Sequence, residues 1–140
     1  DGNEINLIFT PQNNCYVYGI YINGELQPYT KFIQEFDASH LSGHCEVVVE
    51  FGTKYKVNHY LEPLYDTNDA NAIPEFRDYD LVKIETYYTQ FNLETNAVVQ
   101  EYTGFTPLEF EQQVVLTNDI ELSIYYGFII DNYTIFHNTA

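Results

Sequence analysis

The 140-residue chain has no tryptophan and no methionine, only two cysteines, and only five lysine and arginine residues. Each scarcity narrows the field. The five cations (Lys31, Lys54, Lys56, Arg77 and Lys83) stand against 21 carboxylates, a formal charge of −16. From Ile84 onward there are eight carboxylates and no cation. Such a surface repels a phosphate backbone and an anionic bilayer alike, which excludes nucleic acid as a partner and electrostatic attachment to membranes. No apolar run approaches the roughly 18 residues of a membrane span. The nearest, IYYGFII at 124–130, has the length of a strand, so membrane insertion is not expected. Without a methionine, Asp1 is not expected to be a translation start; the expectation is a chain processed or excised, with a removed leader as one reason. That points to an extracellular, virion-surface or cell-surface location.

Catalytic signatures are missing too. There is no G-x-S-x-G elbow, no glycine-rich phosphate loop and no Cys–His pair in a recognisable surround. No two carboxylates stand out as the acid and base of glycoside hydrolysis. The chain does not read as an enzyme.

What is present is alternation. Hydrophobic residues make up 45% of the chain, too many for a disordered segment despite the charge. Apolar positions recur with period two almost throughout, as half-buried strands require. Tyr16, Tyr18, Ile20 and Ile22 share one face of a strand, and Asn23-Gly24 supplies a type I′ hairpin turn, whose two central residues need positive φ. Val47, Val49 and Phe51 form the next inward set, followed by Tyr55, Val57, His59 and Leu61. Val82, Ile84 and Tyr88 begin a second hairpin that turns at 93–96 and returns through Val98 and Tyr102. Ile120, Leu122, Ile124, Tyr126, Phe128 and Ile130 mark the clearest strand, with a short last strand, YTIFH, after it. Residues 30–36 fit a helix or a strand. Turn signals about every ten residues indicate an all-β, antiparallel β-sandwich (jelly-roll or Ig-like Greek key) of roughly nine or ten short strands. The length suits one domain, 1–140.

Three groups of residues carry candidate chemistry. The stretch HLSGHC puts His40, His44 and Cys45 ahead of a strand, and His59 would complete a four-ligand zinc set. Gly43 and the run Val47–Val49 disfavour the helix that an H-x-x-x-H pair needs, and the spacing matches no common zinc pattern. Cys15 and Cys45 each open a strand, which makes them a candidate disulfide. His59 lies on an apolar face and reads as a hydrogen-bonded core histidine. In the polar loop, Asp66, Asn68, Asp69 and Asn71 offer hard oxygen ligands of the kind calcium takes. An EF-hand is excluded, because Asn71 stands where that loop needs glycine and Arg77 where it needs glutamate. Calcium is the one cofactor the sequence suggests; the bland alternative is a solvated Asx-turn loop.

The aromatics remain. There are 14 tyrosines and ten phenylalanines, and Tyr21, Tyr60, Tyr87 and Tyr125 fall on the polar faces of their strands. A tyrosine combines a large apolar area with a polar tip, which suits protein interfaces and sugar rings. The leading expectation is a structural or adhesive subunit that packs into a homo-oligomer or larger assembly. A carbohydrate-binding module with a tyrosine platform is the alternative, with a glycan as its partner. An acidic inhibitor or immunity protein, bound to a basic partner, is the third.

Overall fold

The computed structural model describes residues 5–41 and 43–129. Eight strands are found among them, β1 (Asn6–Ile8), β2 (Cys15–Ile22), β3 (Glu25–Leu26), β4 (Glu35–Asp37), β5 (Val47–Leu61), β6 (Asp80–Gln90), β7 (Phe105–Pro107) and β8 (Glu121–Phe128). The described residues hold no α-helix, only two single turns of 3₁₀ helix at Ala70–Ala72 and Phe76–Asp78. The β class stands; eight strands lie among the described residues, and the expected sandwich of nine or ten is not shown. Segment 30–36 is not a helix: it begins as a turn and its last two residues, Glu35 and Phe36, enter β4. Ile130 and the YTIFH segment lie outside the described residues.

The chain divides into two compact units. One comprises the chain through Tyr55 together with Thr86–Thr95 and Gln113–Ile120, and the other comprises Lys56–Glu85, Asn96–Gln112 and the chain from Glu121 onward.

In the first unit the strands run β3-β2-β5, all antiparallel, and β1 pairs β4 in a separate two-stranded sheet. The β2–β3 hairpin turns at Asn23 (φ +51°) and Gly24 (φ +82°), as a type I′ turn requires. Val17 and Ile20 are buried on β2, and Thr53 and Tyr55 on β5. Both positions 17 and 20 can face the core because the β2–β5 register shifts between Val17 and Gly19, a bulge that breaks strict alternation. Gly52 has no substitute in this packing. A Cβ there would lie 2.6 Å from the Thr89 carbonyl oxygen, 2.9 Å from Tyr18 Cδ1 and 3.1 Å from Tyr16 Cζ.

In the second unit the C-terminal part of β5 pairs β8, which pairs β7. The β5–β8 ladder, from Lys56↔Glu121 to Leu61↔Tyr126, is parallel, which corrects the expectation of an antiparallel sheet throughout. Parallel neighbours need a long crossover, and the whole chain from Glu62 to Ile120 provides it. Alternation puts Val57 and His59 of β5 and Leu122, Ile124 and Tyr126 of β8 into the core, all buried. The expected second hairpin does not form. After β6, Thr95 instead bonds Gln113 in the first unit, and Ala97 bonds the Gln112 side chain in the second.

Candidate functional site

A groove of about 430 Å³ opens in the second unit, lined by Leu61, Glu62, Pro63, Leu64, Asp80, Val82, Phe105 and Phe128. Local chemistry builds each wall. Past the end of β5, Glu62 N–H still donates to the Tyr126 carbonyl (2.9 Å). Pro63 has no N–H to continue the ladder, so the chain leaves the sheet there. Leu64 follows it into solvent at 90% exposure. Gly104, at φ +85°, turns the chain into β7 and sets Phe105 opposite Phe128. Their rings stack at 4.8 Å. Asp80 and Val82, two residues apart at the start of β6, share one side of their strand.

The groove's polar groups are acidic. Glu62 Oε1 accepts the Phe128 N–H at 2.9 Å, which fixes the carboxylate and leaves its second oxygen unused by that bond. The Tyr79 phenol is pushed up, first by burial and then by the negative charge of Glu62 and by Tyr65. Among the described residues no ion pair reaches Glu62 or Asp80.

The same unit buries a polar network. His59 Nε2 meets Glu85 Oε1 at 2.6 Å, and His59 Nδ1 meets the Tyr126 hydroxyl at 2.8 Å. That hydroxyl accepts Gln100 N–H at 2.8 Å, and Lys83 Nζ donates to the Gln100 side chain at 3.2 Å. One assignment of protons satisfies every group: Nε2–H donates to Glu85, Tyr126 O–H donates to Nδ1, and Gln100 N–H donates to Tyr126. His59 and Tyr126 have no exposed surface, while the Glu85 side chain keeps 17% of its own, so the imidazole and phenol of the network lie in the core. His59 is thus the core histidine its apolar face indicates.

The residues singled out from sequence are dispersed. Cys15 and Cys45 are not joined, which corrects the disulfide expectation, and the register explains why. Cys15 pairs Thr53 at one end of the β2–β5 ladder, while Cys45 precedes Val47, the partner of Ile22 at the other end. Seven residues of strand, about 23 Å, separate those ends, against a Cα spacing under about 7 Å in a disulfide. His40 lies edge-on to Phe36 in the first unit. Among the described residues no group of three or more His, Cys, Asp or Glu is placed to hold a metal ion. In the loop proposed for calcium, Asp66 accepts Asn68 N–H and Asp69 accepts Asn71 N–H, both at 2.9 Å. These are Asx turns, and the second caps the 3₁₀ turn that follows.

Of the four tyrosines, Tyr60 and Tyr125 are register partners in the β5–β8 ladder, with rings stacked at 5.1 Å. Phe76 stacks on Tyr125 at 4.4 Å, and Tyr79 meets it edge-on. Their ring faces are largely taken by one another. Tyr87 lies against Tyr55 in the first unit, and Tyr21 pairs Leu26 on the hairpin. The more exposed aromatics of that unit are others: Tyr29 at 96%, Tyr88 at 55% and Phe32 at 51%. Phe32 and Tyr88 join Tyr16 and Tyr18 in one cluster, with Lys31 Nζ 4.3 Å above the Tyr18 ring.

Sequence reasoning missed the groove because its walls come from four separated segments. The one local signal was Pro63-Leu64, a large apolar residue placed just where proline ends a strand. No protein-family model matches the chain, and no curated protein or solved structure shows significant similarity to it.

Proposed function

We propose that this protein is a non-enzymatic β-domain that acts through protein–protein contact, as a structural or adhesive subunit of a larger extracellular or surface assembly. The groove of the second unit carries the reading. Its walls present Leu64 at 90% and Val82 at 44% exposure beside the Phe105–Phe128 stack, a concentration of apolar surface in one concavity. Contiguous exposed apolar surface of this kind marks interaction sites. The His59 imidazole and the Tyr126 phenol are buried and bond each other, and His59 bonds the part-buried Glu85, which favours contact over chemistry. Selection of peptides from an unbiased display library tests this reading. Recovered peptides are expected to bind the wild type and lose binding to a Leu64→Ser/Val82→Ser variant. Enrichment that survives both substitutions would rule the groove out.

A second reading, carbohydrate binding, is favoured by the aromatic cluster of the first unit. Phe32 sits at φ +67°, a strained conformation for a bulky residue, and it keeps a half-exposed ring beside Tyr88 and Lys31. A neutral sugar ring could stack there. A glycan array compares the wild type with Phe32→Ala; equal silence from both would end this reading.

A further inference from the structure

We infer that the occupant of the groove is an apolar segment flanked by lysine or arginine, supplied by a different protein and not by a second copy of this chain. The inference rests on the protein-contact reading of the same groove and names its partner.

Charge decides between occupants. The groove sets two carboxylates, Glu62 and Asp80, beside an apolar floor. The unit's own cations are directed elsewhere: Arg77 pairs Glu75 at 2.5 Å, and Lys83 lies 3.7 Å from Glu85 and bonds Gln100. Lys56, on β5, sits in register with Glu121. Among the described residues, then, no ion pair neutralises Glu62 or Asp80. Glu62 is held by the Phe128 N–H, so its carboxylate is positioned before any partner arrives. A second copy would bring another −16 to the contact, with its five cations outnumbered by 21 carboxylates. Like-charged faces oppose docking, whereas a cation beside an apolar side chain answers both features of the groove.

The test uses fluorescently labelled short peptides in which leucines are flanked by lysines, with a matched set carrying glutamine for lysine. Binding to the full chain is measured at low and high salt, alongside light scattering of the protein alone. The lysine peptide is expected to bind, to weaken with salt, to weaken for Asp80→Asn, and to lose at least about tenfold in affinity for Leu64→Ser/Val82→Ser. That variant keeps the net charge and alters two solvent-facing side chains, and circular dichroism checks its fold. Equal affinity for the variant and the wild type would mean diffuse attraction to an acidic surface, and would overturn the inference. Glutamine peptides that bind as tightly as lysine peptides would also overturn it, while leaving the contact reading in place. So would self-association of the protein alone that the double substitution abolishes. If neither peptides nor copies respond to the substitutions, the contact reading falls with the inference.

Discussion

His59 has no exposed surface and two ring nitrogens to satisfy, and Tyr126 serves one of them. The Tyr126 hydroxyl also accepts the Gln100 N–H, so a single oxygen completes one buried and one part-buried group. Tyr126→Phe keeps the ring and strands both, which should cost about 2–4 kcal/mol of stability by urea denaturation. A loss below about 0.5 kcal/mol would mean that other groups can replace the hydroxyl. Gly52 is constrained by backbone, since the nearest obstacle to a side chain is the Thr89 carbonyl at 2.6 Å. Gly52→Ala should therefore destabilise by about 1–3 kcal/mol or more, as overpacked sites do; a neutral change in thermal melting would contradict the close approach of β6. Tyr16 sets an alkaline limit. Burial first, then Tyr18 and Tyr88, push its phenol up to about 12 from 10.0. A folded-state value above the unfolded one stabilises the protein below pH 10 and is lost as the pH rises towards about 12. Tyr79 and Tyr126 are raised in the same direction. Stability measured across that window should fall less steeply in Tyr16→Phe than in the wild type, and identical slopes would contradict the assignment.

At the scale of elements, register governs what the chain brings together. Cys15 opens β2 and Cys45 lies just ahead of β5, yet antiparallel pairing of β2 with β5 carries them to opposite ends of one ladder. Alkylation of the denatured, unreduced protein should label both thiols, and an unlabelled pair would mean a different register. The β2–β3 hairpin was legible because Asn23-Gly24 demands the positive φ it adopts. The core face of β8 was legible because Leu122, Ile124 and Tyr126 alternate without interruption. Period two says nothing about which strands pair or in which direction, so the parallel β5–β8 ladder left no mark in the sequence. The stacking of Tyr60 on Tyr125 follows from that ladder and was equally hidden. Val98 and Tyr102 alternate well enough for a strand, but Asn92 takes φ +68° and Thr95 bonds Gln113, so local pattern gave way to tertiary pairing. For the candidate site, only Pro63-Leu64 gave a local hint; Phe105 and Phe128 are neighbours solely through the β7–β8 register.

At the scale of the whole molecule, the formal charge of −16 sets the terms of every encounter. It disfavours nucleic acid, anionic membranes and further copies of the chain, and it attracts basic partners at a rate that salt reduces. Long-range attraction does not by itself choose a site. On the proposed reading the choice falls to the place where apolar surface and carboxylates coincide, which in the second unit is the groove beside Leu64 and Val82. The most direct test is methyl nuclear magnetic resonance of leucine- and valine-labelled protein during titration with the leucine peptide flanked by lysines. The account predicts saturable shifts at Leu61, Leu64 and Val82, with the buried methyls of Val17 and Val57 unmoved. Shifts spread evenly over the labelled surface methyls, or confined to the first unit, would contradict it.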